Sequence, residues 1–353
     1  MERRKPMRIH KELPEMIHDK SKDINFSGVV YVKDREQVLL KKAYGYADRA
    51  EKRLNTYNTR FGTASGSKLF TAMAVCQLVE KGQLEFDTPL ADCLAIEFPY
   101  FDKDVTIHHL LTHTSGLPDY FDEEVMKNYE DLWTDVPVYK IETLKDFLPL
   151  FQKKPMNGGP GERFHYNNAA YILLGLIIEQ QTGEAYTDYV QSEIFERCGM
   201  YDSGYFSLDQ LPVNTAFGYI DEKEKGTWRT NVYSIPKQGG SDGGAFLSAP
   251  DMGKFWEALF RYELLSEEMT SRLLQPYVQV NEAIHYGYGI WMNQKEEHIY
   301  KYHVMGYDPG VSFRSSYYPD AGLITVVPSN QESGPFEVTN VIEDFLLGWN
   351  SGK

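Results

Sequence analysis

The chain has 353 residues, 42% of them apolar and 14% aromatic, which is ample for the core of one large globular domain or two closely packed ones. A formal charge of −15 repels a phosphate backbone, and no local basic patch offsets it, so nucleic-acid binding is excluded as the main role. Three cysteines, Cys76, Cys93 and Cys198, form an odd, sparse set that points to reduced thiols over a disulfide framework.

The N-terminal run Met1-Glu-Arg-Arg-Lys-Pro6 is basic, but Lys11, Glu12, Glu15, His18, Asp19 and Lys20 follow where a signal peptide needs unbroken apolar residues. The expectation is a cytoplasmic protein, or an extracellular or cell-wall one if an export signal lies outside this chain. A charged helix is predicted over roughly Lys11 to Lys20. Phe26 to Lys33 and Gln37 to Tyr44 alternate as strands around a polar turn, the pattern of a hairpin. Next comes Phe61-Gly-Thr-Ala-Ser65-Gly-Ser-Lys68-Leu-Phe70, a Ser-x-x-Lys at the mouth of a helical stripe, with Leu69, Met73, Cys76, Leu78 and Val79 marking a helix from Lys68 to Gln83. Residues three apart share a helix face, so the amine of Lys68 can reach the hydroxyl of Ser65. A lysine whose pKa is lowered by burial or nearby positive charge can act as the base that activates a serine. A second Ser-x-x-Lys, Ser234 to Lys237, has no helix pattern behind it.

Between about Phe86 and Gly204 the pattern is mostly helical, with one segment starting at Thr106, another over Ala169 to Gln181 stopped by Gly183, and a third from Tyr186 to Arg197. His109 and His113 stand four apart, but no acidic or cysteine partner follows at a metal-site spacing, and with His108 they read as packed histidines. The longest apolar run, Tyr171 to Ile178, is too short to span a membrane. Just before it, Tyr166-Asn167-Asn168 offers two readings. Tyr166 is either a proton relay beside Ser65 and Lys68 or a helix-entry aromatic, and Asn168 either holds a substrate amide or caps the helix. Gly239-Gly-Ser241-Asp-Gly243 matches a nucleophile elbow by letter but lacks the strand before and the helix after, and is read as a loop beside the active site. Ser248-Ala-Pro-Asp251 has the form of a capping box announcing a helix through Phe260. The chain closes with strands over His298 to Val304, Val311 to Tyr317 and Leu323 to Val327, then an amphipathic helix from Phe336 to Trp349 suited to cover that meander. Strands at both termini imply that the two ends meet in one α/β layer, giving a single domain over 1–353 with an α/β part (1–64 and 210–353) and a mainly helical part (65–209).

Ser65 and Lys68, the tyrosine and asparagine a hundred residues on, and a late glycine-bearing strand together resemble the serine β-lactamase and penicillin-binding superfamily. Val105 to Tyr120, Pro160 to Gly183, Ile194 to Met200, Tyr286 to Gly289 and Asp308-Pro-Gly310 are similar to its class C branch, which includes class C β-lactamases, D-alanyl-D-alanine carboxypeptidases and related esterases. The resemblance runs from about Phe26 to the C-terminus. It implies a β-lactamase/transpeptidase-like α/β fold in which an antiparallel sheet from both chain ends is flanked by helices, with the active site between sheet and helical part. It also implies acyl transfer through an ester on Ser65, with Lys68 and Tyr166 sharing the proton transfers and the choice of base left open. The backbone N–H groups of Ser65 and, by ungapped count, Tyr307 would form the oxyanion hole, and Asn168 would bind the substrate's amide. The implied substrates are a β-lactam, a D-Ala-D-Ala peptide or an ester, and the chemistry calls for no metal or other cofactor.

The third element departs from the pattern. Counting back from Pro309-Gly310 puts Val304-Met305-Gly306 where relatives carry a cation, and leaves His303 one position early. Strand alternation turns such a residue away from the site unless a bulge restores it, whereas Gly306 allows close backbone approach with no side chain. The missing cation shifts the expectation toward a penicillin-binding-like hydrolase or an esterase with poor β-lactamase activity. A catalytically silent ligand-sensing module on the same scaffold is the alternative. Nothing in the pattern sets an oligomeric state.

Overall fold

The computed structural model describes residues 12–348, so the basic N-terminal run, Lys11 and Trp349 lie outside the described residues. Helix α1 (Glu12–Asp23) carries Glu12 and Glu15 in its first turn and Lys20 and Lys22 in its last, which suits the helix dipole at both ends. It runs three residues beyond the expected end. Strands β1 (Gly28–Lys33) and β2 (Val38–Tyr44) form the expected antiparallel hairpin, with Gly28 opposite Tyr44.

Helix α2 (Lys68–Glu80) is buried well beyond its apolar stripe: every residue from Lys68 to Leu78 is buried. The apolar residues between the stripe positions, Phe70, Ala72, Ala74 and Val75, close the other faces, and a helix apolar all round is a central one. From Leu90 to Leu150 the expected helical pattern resolves into short turns joined by loops, among them α3 (Ile107–Leu111), which starts at Thr106 with a capping box completed by His109. Helix α4 (Asn168–Thr182) ends at Gly183, whose φ of 75° supplies the left-handed cap. The segment predicted from Tyr186 to Arg197 begins as an α-helix over Tyr186–Val190 and continues as a π-turn over Gln191–Glu196. Helix α5 (Ala249–Phe260) starts as expected at Ser248, whose side chain accepts from the Asp251 N–H. Its capping box is half made, because the Asp251 carboxylate turns away to the Asp202 N–H, the Ser203 hydroxyl and Lys254.

The other strands of the large sheet are β3 (Val278–Gln279), β4 (Ile284–Tyr286), β5 (Trp291–Lys295), β6 (His298–Asp308), β7 (Val311–Tyr318) and β8 (Leu323–Ser329), followed by helix α6 (Pro335–Leu347). Together with the hairpin they form one eight-stranded sheet in the order β2-β1-β8-β7-β6-β5-β4-β3, antiparallel at each pairing. The two chain ends meet in it through β1 and β8, with Gly28 opposite Ser329. On one sheet face Val29, Tyr31, Val304, Phe313 and Val326 join the main core with α2 and α5. On the other, Val30, Val32, Leu323 and Val327 pack with Leu13 and Ile17 of α1 and Val338 and Ile342 of α6. Strand β6 is longer than predicted, and its extra residues, Met305 to Asp308, run beside the Ser65 turn. Among the described residues no helix is long and apolar enough to cross a membrane.

Candidate active site

Ser65 lies in a single 3-10 turn, Ala64–Ser67, that leads straight into α2. The expectation placed it at the mouth of a helix running from Lys68, and it stands there, three residues ahead of Lys68 on the 3-10 turn. Ala64 has φ of 45°, a left-handed conformation that costs a non-glycine residue on the order of 1 kcal/mol or more and persists only where neighbours impose it. Here the Ala64 carbonyl accepts from the Gly244 N–H and the Ser67 hydroxyl, and Thr63 is bonded to the Ala245 carbonyl through both N–H and hydroxyl. The glycine loop after Gly239 therefore holds the turn that carries Ser65.

Lys68 is buried, and its Nζ donates to Ser65 Oγ at 2.9 Å, to Asn168 Oδ1 at 2.8 Å and to the Asp242 carbonyl. Three partners match the three donors of an ammonium. Burial lowers the pKa of this amine, against opposing pulls from Asp242, Glu123, Asp119 and Asp308. Asn167, not Asn168, caps α4 by accepting from the Ala170 N–H. Asn168 turns inward instead, with Oδ1 on Lys68 and Nδ2 donating to Asp119 and to the Phe121 carbonyl. Asp119 also accepts from the backbone N–H groups of Asn168 and Ala169 at 2.7 and 2.9 Å, and burial pushes its carboxyl up to about 6 despite those bonds.

Tyr166 lines the same cleft, with its ring 4.3 Å from that of His113, stacked on Trp291 and 5.0 Å from Lys68 Nζ. Burial, and then the charge of Glu123, raises its phenol well above the ordinary value, while the Ser65 hydroxyl beside it pulls the other way.

Gly306 presses its backbone against the serine turn: a Cβ there would stand 2.2 Å from the Thr63 carbonyl oxygen and 2.7 Å from the Ser65 nitrogen. Tyr307 lines the cleft with its side chain half exposed. The β6–β7 register is unbroken from Tyr302 to Asp308, so Val304, Gly306 and Asp308 share the Ser65 side while His303 falls on the other. There His303 is buried near Lys301, which pairs with Glu343 of α6, and it does not line the cleft. Burial, Lys301 and Arg314 push its pKa well down, which keeps it neutral. The expectation of a substrate-binding His303 is corrected accordingly: no bulge restores it.

The cleft, about 620 Å³, opens between the C-terminal end of β6 and the helical part of the chain. Ser241 lies buried outside it and Ser234 is bonded to Glu130 and Arg229, so neither rival serine is placed for attack. His108, His109 and His113 are engaged separately, by Tyr288, by Thr106, and by Tyr286 with the Asn167 N–H. Asp122, Glu124 and His165 bring possible ligand atoms within 4.8 Å of one another, but Arg163 already forks onto Glu124 and His165 bonds Asp122. Sequence reasoning passed over Asp119, the Asp242 carbonyl, Trp291 and Asp308. Asp119 lay within a recognised stretch, and Asp242 within a loop expected near the site, yet no spacing rule reveals a carbonyl aimed at a buried amine.

The family described as Beta-lactamase matches residues 15–346. The chain is 32% identical over 324 residues to penicillin-binding protein 4* of Bacillus subtilis (strain 168), a match that covers 87% of this chain and 68% of that protein. Among solved structures, a penicillin-binding protein from Bacillus halodurans superposes with a TM-score of 0.89 at 54% identity, covering 93% of this chain and 99% of that one. The octameric penicillin-binding protein homologue from Pyrococcus abyssi superposes with a TM-score of 0.83 at 27% identity, covering 96% and 77%.

Proposed function

The chain belongs to the beta-lactamase family of serine hydrolases, and on that premise we propose that it is a penicillin-binding-type hydrolase working through an acyl-enzyme on Ser65. The observation that carries this reading is the buried Lys68 with its three partners. In the neutral amine, two N–H groups remain on Asn168 Oδ1 and the Asp242 carbonyl, and the lone pair is left facing Ser65 Oγ. The environment also divides the proton work. A lowered Lys68 and a raised Tyr166 both favour the neutral amine beside a neutral phenol, so Lys68 takes the serine proton and Tyr166 relays it, giving its phenol proton to the leaving group while the Lys68 ammonium restores it.

The backbone N–H groups of Ser65 and Tyr307 serve as oxyanion donors, each worth on the order of 10² to 10³ in rate. Gly306 permits the approach that pairs them, since any side chain there would push strand and turn apart. Asn168 acts first as the holder of Lys68, because both ends of its amide are engaged. Val304, at the strand position where the resemblance expects a cation, is packed in the main core and brings no charge to the cleft, which favours esters and weakens the case for rapid β-lactam hydrolysis.

Intact-mass measurement and product assay after separate incubation with a penicillin, a p-nitrophenyl ester and a D-Ala-D-Ala peptide test the proposal. A persistent penicillin adduct with ester turnover is expected. No adduct and no turnover with any of the three would instead make the protein a silent ligand-sensing module.

A further inference from the structure

We propose that the cleft selects acyl donors that carry a positively charged amine, with Asp308 as the residue that receives it. The inference rests on the acyl-enzyme reading and names its substrate class. Asp308 is the last residue of β6, one step beyond Tyr307, and by alternation it shares the Ser65 side of the strand with Val304 and Gly306. Its carboxylate has no hydrogen-bond or ion-pair partner among the described residues, although it lines the cleft within electrostatic reach of Asp242, Lys68 and Glu123. Glu123 and Glu332 line the same cleft and are likewise without a partner there, and Asp242 is held by the Tyr120 hydroxyl. Against these four carboxylates stands one cationic lining residue, the exposed Lys127, while Lys68 lies below the floor with its amine on Ser65, Asn168 and Asp242.

Burial, and then the charge of Asp242, push the Asp308 carboxyl up to about 7 although Lys68 pulls it down, and a ligand that sets a cation beside it favours its charged form. A substrate carboxylate would instead meet a surplus of like charge. Aromatic rings of Tyr129 and Trp291 along the cleft provide faces on which an organic cation can rest.

The test compares p-nitrophenyl esters of one chain length whose acyl tails end in trimethylammonium, in the isosteric tert-butyl group or in carboxylate. With the native enzyme at low salt, kcat/KM should fall in that order. The trimethylammonium ester should exceed the tert-butyl ester by about tenfold or more, and the ratio should shrink as ionic strength rises. Asp308→Asn should bring the ratio toward one, mainly through KM of the cationic ester, whatever happens to the absolute rates. A tert-butyl ester turned over as well as the cationic one by the native enzyme overturns the proposal, and a ratio that survives Asp308→Asn overturns the role of that residue. If none of the esters releases nitrophenolate or leaves an adduct, the acyl-enzyme reading itself falls and this one with it, an outcome distinct from equal turnover of all three.

Discussion

Burial sets the chemistry of Lys68 by lowering the pKa of an amine bonded to Ser65 Oγ, Asn168 Oδ1 and the Asp242 carbonyl. Ser65 three residues away was legible from helix geometry, but the displacement of the amine's pKa depends on residues that no local pattern joins to it. Glu123 is one of them: its charge holds the ammonium form of Lys68 up, against burial. The active form is the neutral amine, so kcat/KM rises with pH through the pKa of Lys68. Removing the Glu123 charge lowers that pKa further and increases the neutral fraction at any given pH. Glu123→Gln should therefore move the acid limb of the kcat/KM profile for a neutral ester to lower pH, and a limb moved to higher pH would contradict the account. Ala64 shows the opposite case. Its left-handed backbone cannot be read from an alanine, because the constraint comes from the glycine loop that bonds its carbonyl.

Among the elements, helix α4 and strand β6 show where reading by period succeeds and where it stops. The stop of α4 at Gly183 was predicted from the glycine alone, whereas its start was not, since two adjacent asparagines compete for the cap and only the inward pull of Lys68 and Asp119 decides between them. Strand β6 outran its predicted end because Gly306 reads as a breaker in sequence, while in the sheet it is the point of closest approach to Ser65. A further glycine inside α4 works in the same way. A Cβ at Gly175 would lie 2.2 Å from Ser241 Oγ and 2.5 Å from Leu144 Cδ1, so the helix leans directly on the loop whose next residue offers its carbonyl to Lys68. Gly175→Ala gains up to about 1 kcal/mol of helix propensity but overpacks this contact at a cost of roughly 1–3 kcal/mol. The expected outcome is a lower denaturation midpoint with an unchanged slope, together with a kcat reduced by about tenfold or more as the Asp242 carbonyl shifts. A midpoint that rises would show that the contact is looser than the structure has it.

For the molecule as a whole, the site exists because the two ends of the chain share one sheet. β1 pairs with β8, β8 with β7 and β7 with β6, which fixes where Gly306 and Tyr307 stand relative to a serine turn that enters from the helical side. Strands at both termini made that closure legible in sequence. The side of β6 on which a residue falls was legible too, because alternation in an unbroken register separates His303 from Val304 and Gly306. The charge of the finished cleft was not, since Glu123, Asp242, Asp308 and Glu332 come from four distant segments that only the tertiary fold assembles. The claim that joins these scales is that Ser65 is the nucleophile, and p-nitrophenyl ester turnover by Ser65→Ala, with folding checked by its thermal transition, tests it most directly. The account predicts a loss of about 10⁴ to 10⁶ in kcat and no covalent adduct by intact mass; a folded variant that keeps its activity would contradict it.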